Sequence, residues 1–325
     1  MMFQVRCEQF APPSALQRVE VPIPEPATGQ VQVQIAAAGV GFVDGLMVQG
    51  RYQVKPALPY LPGSEFAGVV TEVGDGVNQV KVGDRVMGLS SGGAFADFLT
   101  IDAEALVAVP DILDLPTAAG LYINYATAIY GLRDCGHLQA GETALILGAA
   151  GGVGSAAICV AKAMGASVIA AASTLAKREA AVAFGADHTV DYTQPDWRDA
   201  LKALTERKGL TMVYDPVGGD LAEPAFRSLS PGGRLLVVGF ASGSIPALPL
   251  NLALLKRAAV VGVDWGGASR ADPAINHELM STLMQWISSG RLQPAAVTTR
   301  AMSEVREALT AQLAGEVIGK LVLTN

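Results

Sequence analysis

The sequence predicts an α/β protein in which a doubly wound parallel-sheet domain is joined to a β-rich domain. Three observations predict it. Between residues 142 and 240, apolar strand-like runs alternate with helix-like segments, several of them closed by glycine. Residues 1–122 show period-two alternation instead, punctuated by prolines and short turns. A glycine cluster, "GAAGGVG" at 148–154, sits where the first run of the alternating region hands over to its first helix.

The 325 residues suffice for two domains, and half of them are hydrophobic while 16% are charged, so the chain can bury large cores. A net charge of −7 argues against a nucleic-acid partner. The nearest approach to a basic stripe is Lys202, Arg207 and Lys208, interleaved with Glu206, which reads as a solvated helix face. Cys7, Cys135 and Cys159 are far apart and form no CxxC pair, so they read as free thiols in a reducing compartment. His137, His188 and His277 show no ligand-like spacing to them, and no metal is expected. The start "MMFQVRCEQF" lacks the apolar core of a signal peptide. Residues 143–161 are uncharged and long enough for a membrane, yet the glycine cluster splits them into strand, turn and helix. A cytoplasmic protein is expected, with no membrane partner.

In order along the chain, "GQVQVQIAAAGV" (29–40) alternates as a half-buried strand, and "EFAGVVTEVG" and "VGDRVMGL" follow as strands between turns. Residues 117–136 can run as a helix ending at a glycine. Then come strand 142–148, helix 151–165, strand 167–172, helix 175–185, strand 188–192, helix 196–209 and strand 210–218. Helix 220–233 and strand 234–240 complete the alternation. Such βα units imply a parallel sheet covered on both faces. From residue 259 the pattern weakens to a strand (259–267), helices at 275–290 and 303–315, and a strand at 319–325. Three segments follow: 1–122, 123–258, and 259–325 returning to complete the first domain.

Gly148, Gly151, Gly152 and Gly154, with Val153, lie between a buried strand and a helix start, the context of a dinucleotide fingerprint. Glycine permits the sharp turn and lets backbone N–H groups meet a pyrophosphate at the helix N-terminus. A tight turn packing a small-residue helix onto a sheet is the plainer alternative. The second strand ends in Ala172, Ser173 and Thr174, with Lys177 and Arg178 a turn later. An NAD site there carries an acid for the ribose 2′-hydroxyl, whereas a hydroxyl and a lysine suit a 2′-phosphate, so NADPH is expected. The reading of these cations as an exposed helix face fits Arg178 better than Lys177.

On "GFVDGLMVQGRY", "LPYLPGSEFAGVV", "VGDRVMGL", "GAAGGVG", "YDPVGG", "LLVVGF" and "GKLVL", the chain resembles the zinc-free quinone oxidoreductase branch of the medium-chain dehydrogenase/reductase superfamily. The resemblance implies a GroES-like β-rich catalytic domain (1–122 and 259–325) split around a Rossmann domain (123–258). Positions that hold catalytic zinc in alcohol dehydrogenases of the superfamily correspond to Gly41, Ser64 and Ile123, which offer no ligand set. It implies further that Phe42 and Thr127 lie at the cofactor, Thr127 near the nicotinamide, and that Ser173, Lys177 and Tyr192 hold the 2′-phosphate. Tyr192 reads equally as a half-buried aromatic at a strand end. Val217, Phe240, Val263, Trp265 and Gly266 border the cofactor. Gly41 and Leu46 stand where well-known bacterial quinone oxidoreductases carry Asn and Tyr.

The chemistry implied is hydride transfer from NADPH to a quinone or conjugated enone, with the charge on the substrate oxygen held by a hydrogen-bond donor. Tyr52, in "VQGRY", is the expected donor, and Asp44 and Ser64 line or orient the site; Asp44 alternatively only caps a helix. Two alternatives remain, a 2-enoyl-thioester (enoyl-CoA) reductase and a low-turnover NADPH-binding scaffold. A homodimer is expected through the strand "AVVGVDWGG", whose apolar edge calls for pairing.

Overall fold

A computed structural model of the chain describes all residues 1–325. It divides into two compact units, one formed by residues 1–123 and 296–325 and the other by residues 124–295.

The discontinuous unit is built on a seven-stranded sheet. Its long strand Gln30–Val40 pairs antiparallel with Glu65–Val73, Phe98–Asp102 and Lys320–Thr324. Val31, Val33, Ile35, Phe66, Val70, Leu321 and Leu323 from these strands share one buried core. The helix Phe42–Val48 follows the long strand directly. It packs so closely on helix Val305–Leu313 that a Cβ on Gly45 would lie 2.7 Å from Leu313 Cγ. The 11-residue strand is more buried than its alternation suggests: Gln32 is inside, its Nε2 donating to Pro24 O at 2.7 Å and its Oε1 accepting from Thr71 Oγ1 at 2.7 Å.

The contiguous unit carries six parallel strands, Thr143–Ile146, Ser167–Ala171, His188–Val190, Leu210–Asp215, Leu229–Val237 and Ala259–Gly262. Counted along the chain, their order in the sheet is 3-2-1-4-5-6, the doubly wound dinucleotide-binding order. Leu145, Leu147, Ile169, Val213, Phe226 and Leu235 lie in its core.

Four expectations need correction. The boundary expected at 258/259 lies at 295/296, because Ala259–Gly262 hydrogen-bonds to Leu229–Val237 and so extends the parallel sheet. The helix expected over 117–136 is three pieces, Leu115–Ala119, Tyr122–Ile129 and a π-helical turn Tyr130–Cys135. Close packing at Gly120 breaks it, where a Cβ would meet the Lys320 side chain at 2.9 Å. The "SPGG" segment is already strand: a register shift between Leu210 and Met212 absorbs the glycines, and Ser230 Oγ donates to Leu210 O at 2.9 Å. Trp265 and Gly266 open a helix, Trp265–Ala271, capped by Asp264, whose Oδ1 accepts the Gly267 N–H at 2.8 Å. The uncharged stretch at 143–161 is divided between a strand and the helix Gly152–Ala163, and no helix is long and apolar enough to cross a membrane.

Candidate active site

Within the parallel-sheet unit, the residues expected at the cofactor fall at one edge of the sheet. Gly148–Gly154 follow the first strand, Ser173 and Lys177 the second, Tyr192 the third, Val217 the fourth, Phe240 the fifth, and Val263–Gly266 the sixth. Ligands of open α/β sheets bind outside the carboxyl ends of the strands, where the strand order reverses. That reversal lies between the first and fourth strands, and here Gly148, with φ +58°, abuts Val217: a Cβ would sit 2.8 Å from Val217 Cγ2. Thr127 is half-buried on helix Tyr122–Ile129.

The glycine turn fits a pyrophosphate. At Gly154 a Cβ would strike Gly148 O at 2.3 Å, so helix and turn are in contact. At Gly151 a Cβ would meet only Gly148 O, at 3.5 Å, which leaves room above the helix start. The first intrahelical bond runs from Ser155 N–H to Gly151 O at 2.8 Å, so the N–H groups of Gly152, Val153 and Gly154 lie ahead of it. Asp215 fixes the neighbouring turn by accepting the N–H groups of Val217 and Gly218, both at 2.8 Å.

Lys177 and Ser173 are half-buried beside the second strand, and Thr174 caps the helix carrying Lys177. Arg178 is not the exposed cation expected. Its guanidinium meets Asp191 Oδ2 at 2.8 Å and Ala172 O at 3.3 Å. Asp191 also accepts from Thr193 N–H and Oγ1–H, and these bonds, more than Arg178, hold its carboxyl below the usual range. The acid at the end of the third strand is thus occupied within the protein. Tyr192 is half-buried at the end of the same strand, and Phe240 is 38% exposed. Trp265 is buried, with Nε1 donating to Asn276 Oδ1 at 3.0 Å.

In the other unit the structure brings Asp44 and Ser64 together. Asp44 is 3% exposed on helix Phe42–Val48; its Oδ2 accepts the Gly41 N–H at 2.8 Å and its Oδ1 accepts from Ser64 Oγ at 3.3 Å. Gly41 has no room for a side chain without crowding this carboxylate, since a Cβ would lie 3.1 Å from Oδ2. Burial pushes the Asp44 carboxyl up to about 6, against the lowering effects of the Gly41 N–H, Lys320 and Ser64. Phe42 and Leu46 are half-buried on the same short helix. Tyr52 lies in the following loop, half-buried, and bonds to neither Asp44 nor Ser64.

Two features escaped the sequence. Tyr60 is buried and donates to Met47 Sδ at 3.7 Å; nothing in "LPYLP" marks it out. Glu65 and Lys320, both buried, form an ion pair, with Glu65 Oε2 accepting the Ile123 N–H at 3.0 Å and Lys320 donating to Val40 O at 3.0 Å. No three His, Cys, Asp or Glu side chains converge as a ligand cluster.

Residues 27–111 match the family model for the alcohol dehydrogenase GroES-like domain, and residues 152–289 that for zinc-binding dehydrogenase. A curated relative, quinone oxidoreductase-like protein 2 of Mus musculus, is 39% identical over 287 residues, 88% of this chain and 82% of the relative. This chain belongs to the quinone oxidoreductase branch of the medium-chain dehydrogenase/reductase superfamily. It is a medium-chain oxidoreductase in fold and family. The solved Escherichia coli quinone oxidoreductase, complexed with NADPH, superposes with a TM-score of 0.88 at 29% identity, covering 99% of this chain and all of that one. The CurK enoyl reductase superposes equally well, TM-score 0.88 at 26% identity, over 99% of both chains.

Proposed function

We propose that this NADPH-dependent medium-chain oxidoreductase reduces a quinone or conjugated enone and does so without zinc. The reading is carried by the chemistry at Gly41, Ser64 and Ile123, where related alcohol dehydrogenases hold catalytic metal: these residues supply no zinc donor set. A substrate oxygen that gains charge is then held by hydrogen bonds alone. That favours acceptors whose conjugation spreads the charge, a quinone or an enone, over an isolated carbonyl.

NADPH, when bound, supplies the hydride from its nicotinamide. The N–H groups at Gly152–Gly154 receive the pyrophosphate, and Ser173 and Lys177, with Tyr192 beside them, receive the 2′-phosphate. Occupation of Asp191 by Arg178 and Thr193 supports this assignment, because it removes the carboxylate that would compete there. Thr127, Val217, Phe240 and Val263–Gly266 border the rest of the cofactor, and Phe42 is the further residue assigned to it. Tyr52 donates its phenol hydrogen to the substrate oxygen. Asp44 and Ser64 handle the accompanying proton.

Reduction of an enoyl thioester is the second reading, favoured by the likeness to CurK enoyl reductase and by the same tyrosine. NADPH oxidation followed spectrophotometrically over quinones, enones and enoyl-CoA thioesters separates the two. Removal of one oxyanion donor costs about 10²–10³ in turnover. Tyr52→Phe is therefore expected to lose a comparable factor in kcat with NADPH affinity unchanged. Retention of more than roughly half the wild-type kcat, with hydride transfer rate-limiting, removes Tyr52 from that role.

A further inference from the structure

We propose that Asp44 and Ser64 form a proton store whose outlet is the Ser64 hydroxyl, and that this hydroxyl delivers the proton that completes substrate reduction. The destination of the proton rests on the reductase reading above; the store itself rests on the hydrogen bonds within the β-rich unit.

Asp44 is 3% exposed, while Ser64, bonded to it, is only half-buried. Both carboxylate oxygens are taken, Oδ2 by the Gly41 N–H and Oδ1 by Ser64 Oγ–H. The Tyr60 hydroxyl is spoken for by Met47 Sδ. A backbone N–H does not pass protons on, so the one group through which Asp44 can exchange with a ligand or water is the Ser64 hydroxyl.

Capping alone does not explain an acid here. A short neutral side chain such as Asn or Ser would accept the Gly41 N–H without leaving an ionisable group inside the protein. The charges that face Asp44 do not fix its state either. Lys320 and Glu65 pull in opposite directions and are paired with each other. Beyond Tyr60, the Cys7 thiol is engaged with the carbonyls of Gln9 and Val48. With its carboxyl pushed up to about 6, Asp44 holds and releases a proton near neutrality, as a general acid must.

The proton count closes. Hydride addition to an enone forms a C–H bond at the β-carbon and moves the π pair towards oxygen, leaving an enolate one proton short of product. When Asp44 is protonated its carboxyl O–H donates to Ser64 Oγ and the Ser64 hydrogen turns to the substrate; the Ser64 O–H bond breaks as the substrate O–H bond forms, and the enol then tautomerises to the ketone. The Asp44 carboxyl O–H bond breaks as the Ser64 hydroxyl is restored, and water reloads the carboxylate through that hydroxyl. With a quinone the same proton converts the quinolate to the quinol.

Two measurements on the full-length protein test the store. The Asp44 carboxyl is titrated by carbon-detected NMR in wild type and Ser64→Ala, and kcat is followed from about pH 5 to pH 9 in wild type and Asp44→Asn. Ser64→Ala removes a donor to the carboxylate, so the Asp44 titration is expected to move upward. Wild-type kcat is expected to fall above a limb near that titration; Asp44→Asn should abolish the limb and lose about 10²-fold at its acid end. An Asp44 titration unmoved by Ser64→Ala overturns the store whatever the substrate. A limb that survives Asp44→Asn overturns its role in delivery. A wild-type protein that reduces no acceptor overturns the reductase reading and the destination, while a shifted titration still establishes the store.

Discussion

Replacing Asp44 by asparagine is expected to make the protein more stable at neutral pH, the reverse of the usual result for a buried hydrogen-bonded residue. Burial raises the carboxyl from 3.8 to about 6, so the folded state disfavours the charged form by roughly two pK units. At about 1.36 kcal/mol per unit this is about 3 kcal/mol of destabilisation once the group is ionised. The sign follows from proton binding. A folded-state pKa above the unfolded value means that the folded protein binds the extra proton between about pH 4 and pH 6. Stability from this group is therefore greatest below that window and lost as pH rises through it. Asparagine keeps the geometry: its carbonyl accepts the Gly41 N–H, and its amide donates to Ser64 Oγ, whose hydroxyl turns away. Urea unfolding of wild type and Asp44→Asn at about pH 4, 6 and 8 is the assay. The variant should gain little at the lowest pH and about 1–3 kcal/mol at the highest. A variant less stable than wild type at the highest pH, or a difference that does not change with pH, would show that the carboxylate is not held against its solvation.

NADPH is expected to bind far more tightly than NADH, and Lys177→Ala to narrow the gap; nucleotide fluorescence titration reads both, and equal wild-type affinities would refute the assignment of Ser173 and Lys177. Turnover should survive chelation, because Gly41, Ser64 and Ile123 offer no zinc donor set; activity lost to a chelator and restored by zinc would decide otherwise. A homodimer is expected through the edge strand Ala259–Gly262, where Val260 is 50% exposed and the preceding helix exposes Leu250, Leu254 and Leu255. Sedimentation showing a monomer across micromolar concentrations would exclude it.

The parallel sheet was legible because each strand and helix is signalled locally, by an apolar run, a glycine and a change of period. Its sixth strand was recognised as a strand but assigned to the wrong unit, since the four residues Ala259–Gly262 carry no mark of the partner they pair with. The glycine turn was legible for the same local reason. Arg178 was misjudged because its partner, Asp191, lies on the next strand, and nothing in "AKRE" shows that the two meet. Asp44 offered two readings, and the structure makes it a cap while also joining it to Ser64, 20 residues on. Tyr60 could not be found at all, because its bond to Met47 on helix Phe42–Val48 arises only in the folded chain.

The ion pair between Glu65 and Lys320 spans 255 residues of chain. As the ribosome releases the protein, Glu65 emerges long before the lysine that neutralises it. A buried carboxylate without its cation costs several kcal/mol, so the neighbourhood of Ser64 and Ile123 cannot close in its final form during that interval. The contiguous unit, residues 124–295, has all its strands by then and is free to fold first. Strand Lys320–Thr324, which slots between Val297–Ala301 and Gln30–Val40, then brings the ammonium to Glu65 and Val40. The order of synthesis thus delays assembly of the β-rich unit until the parallel-sheet unit exists, and a nascent chain stopped short of Lys320 should leave residues around Glu65 open to proteases.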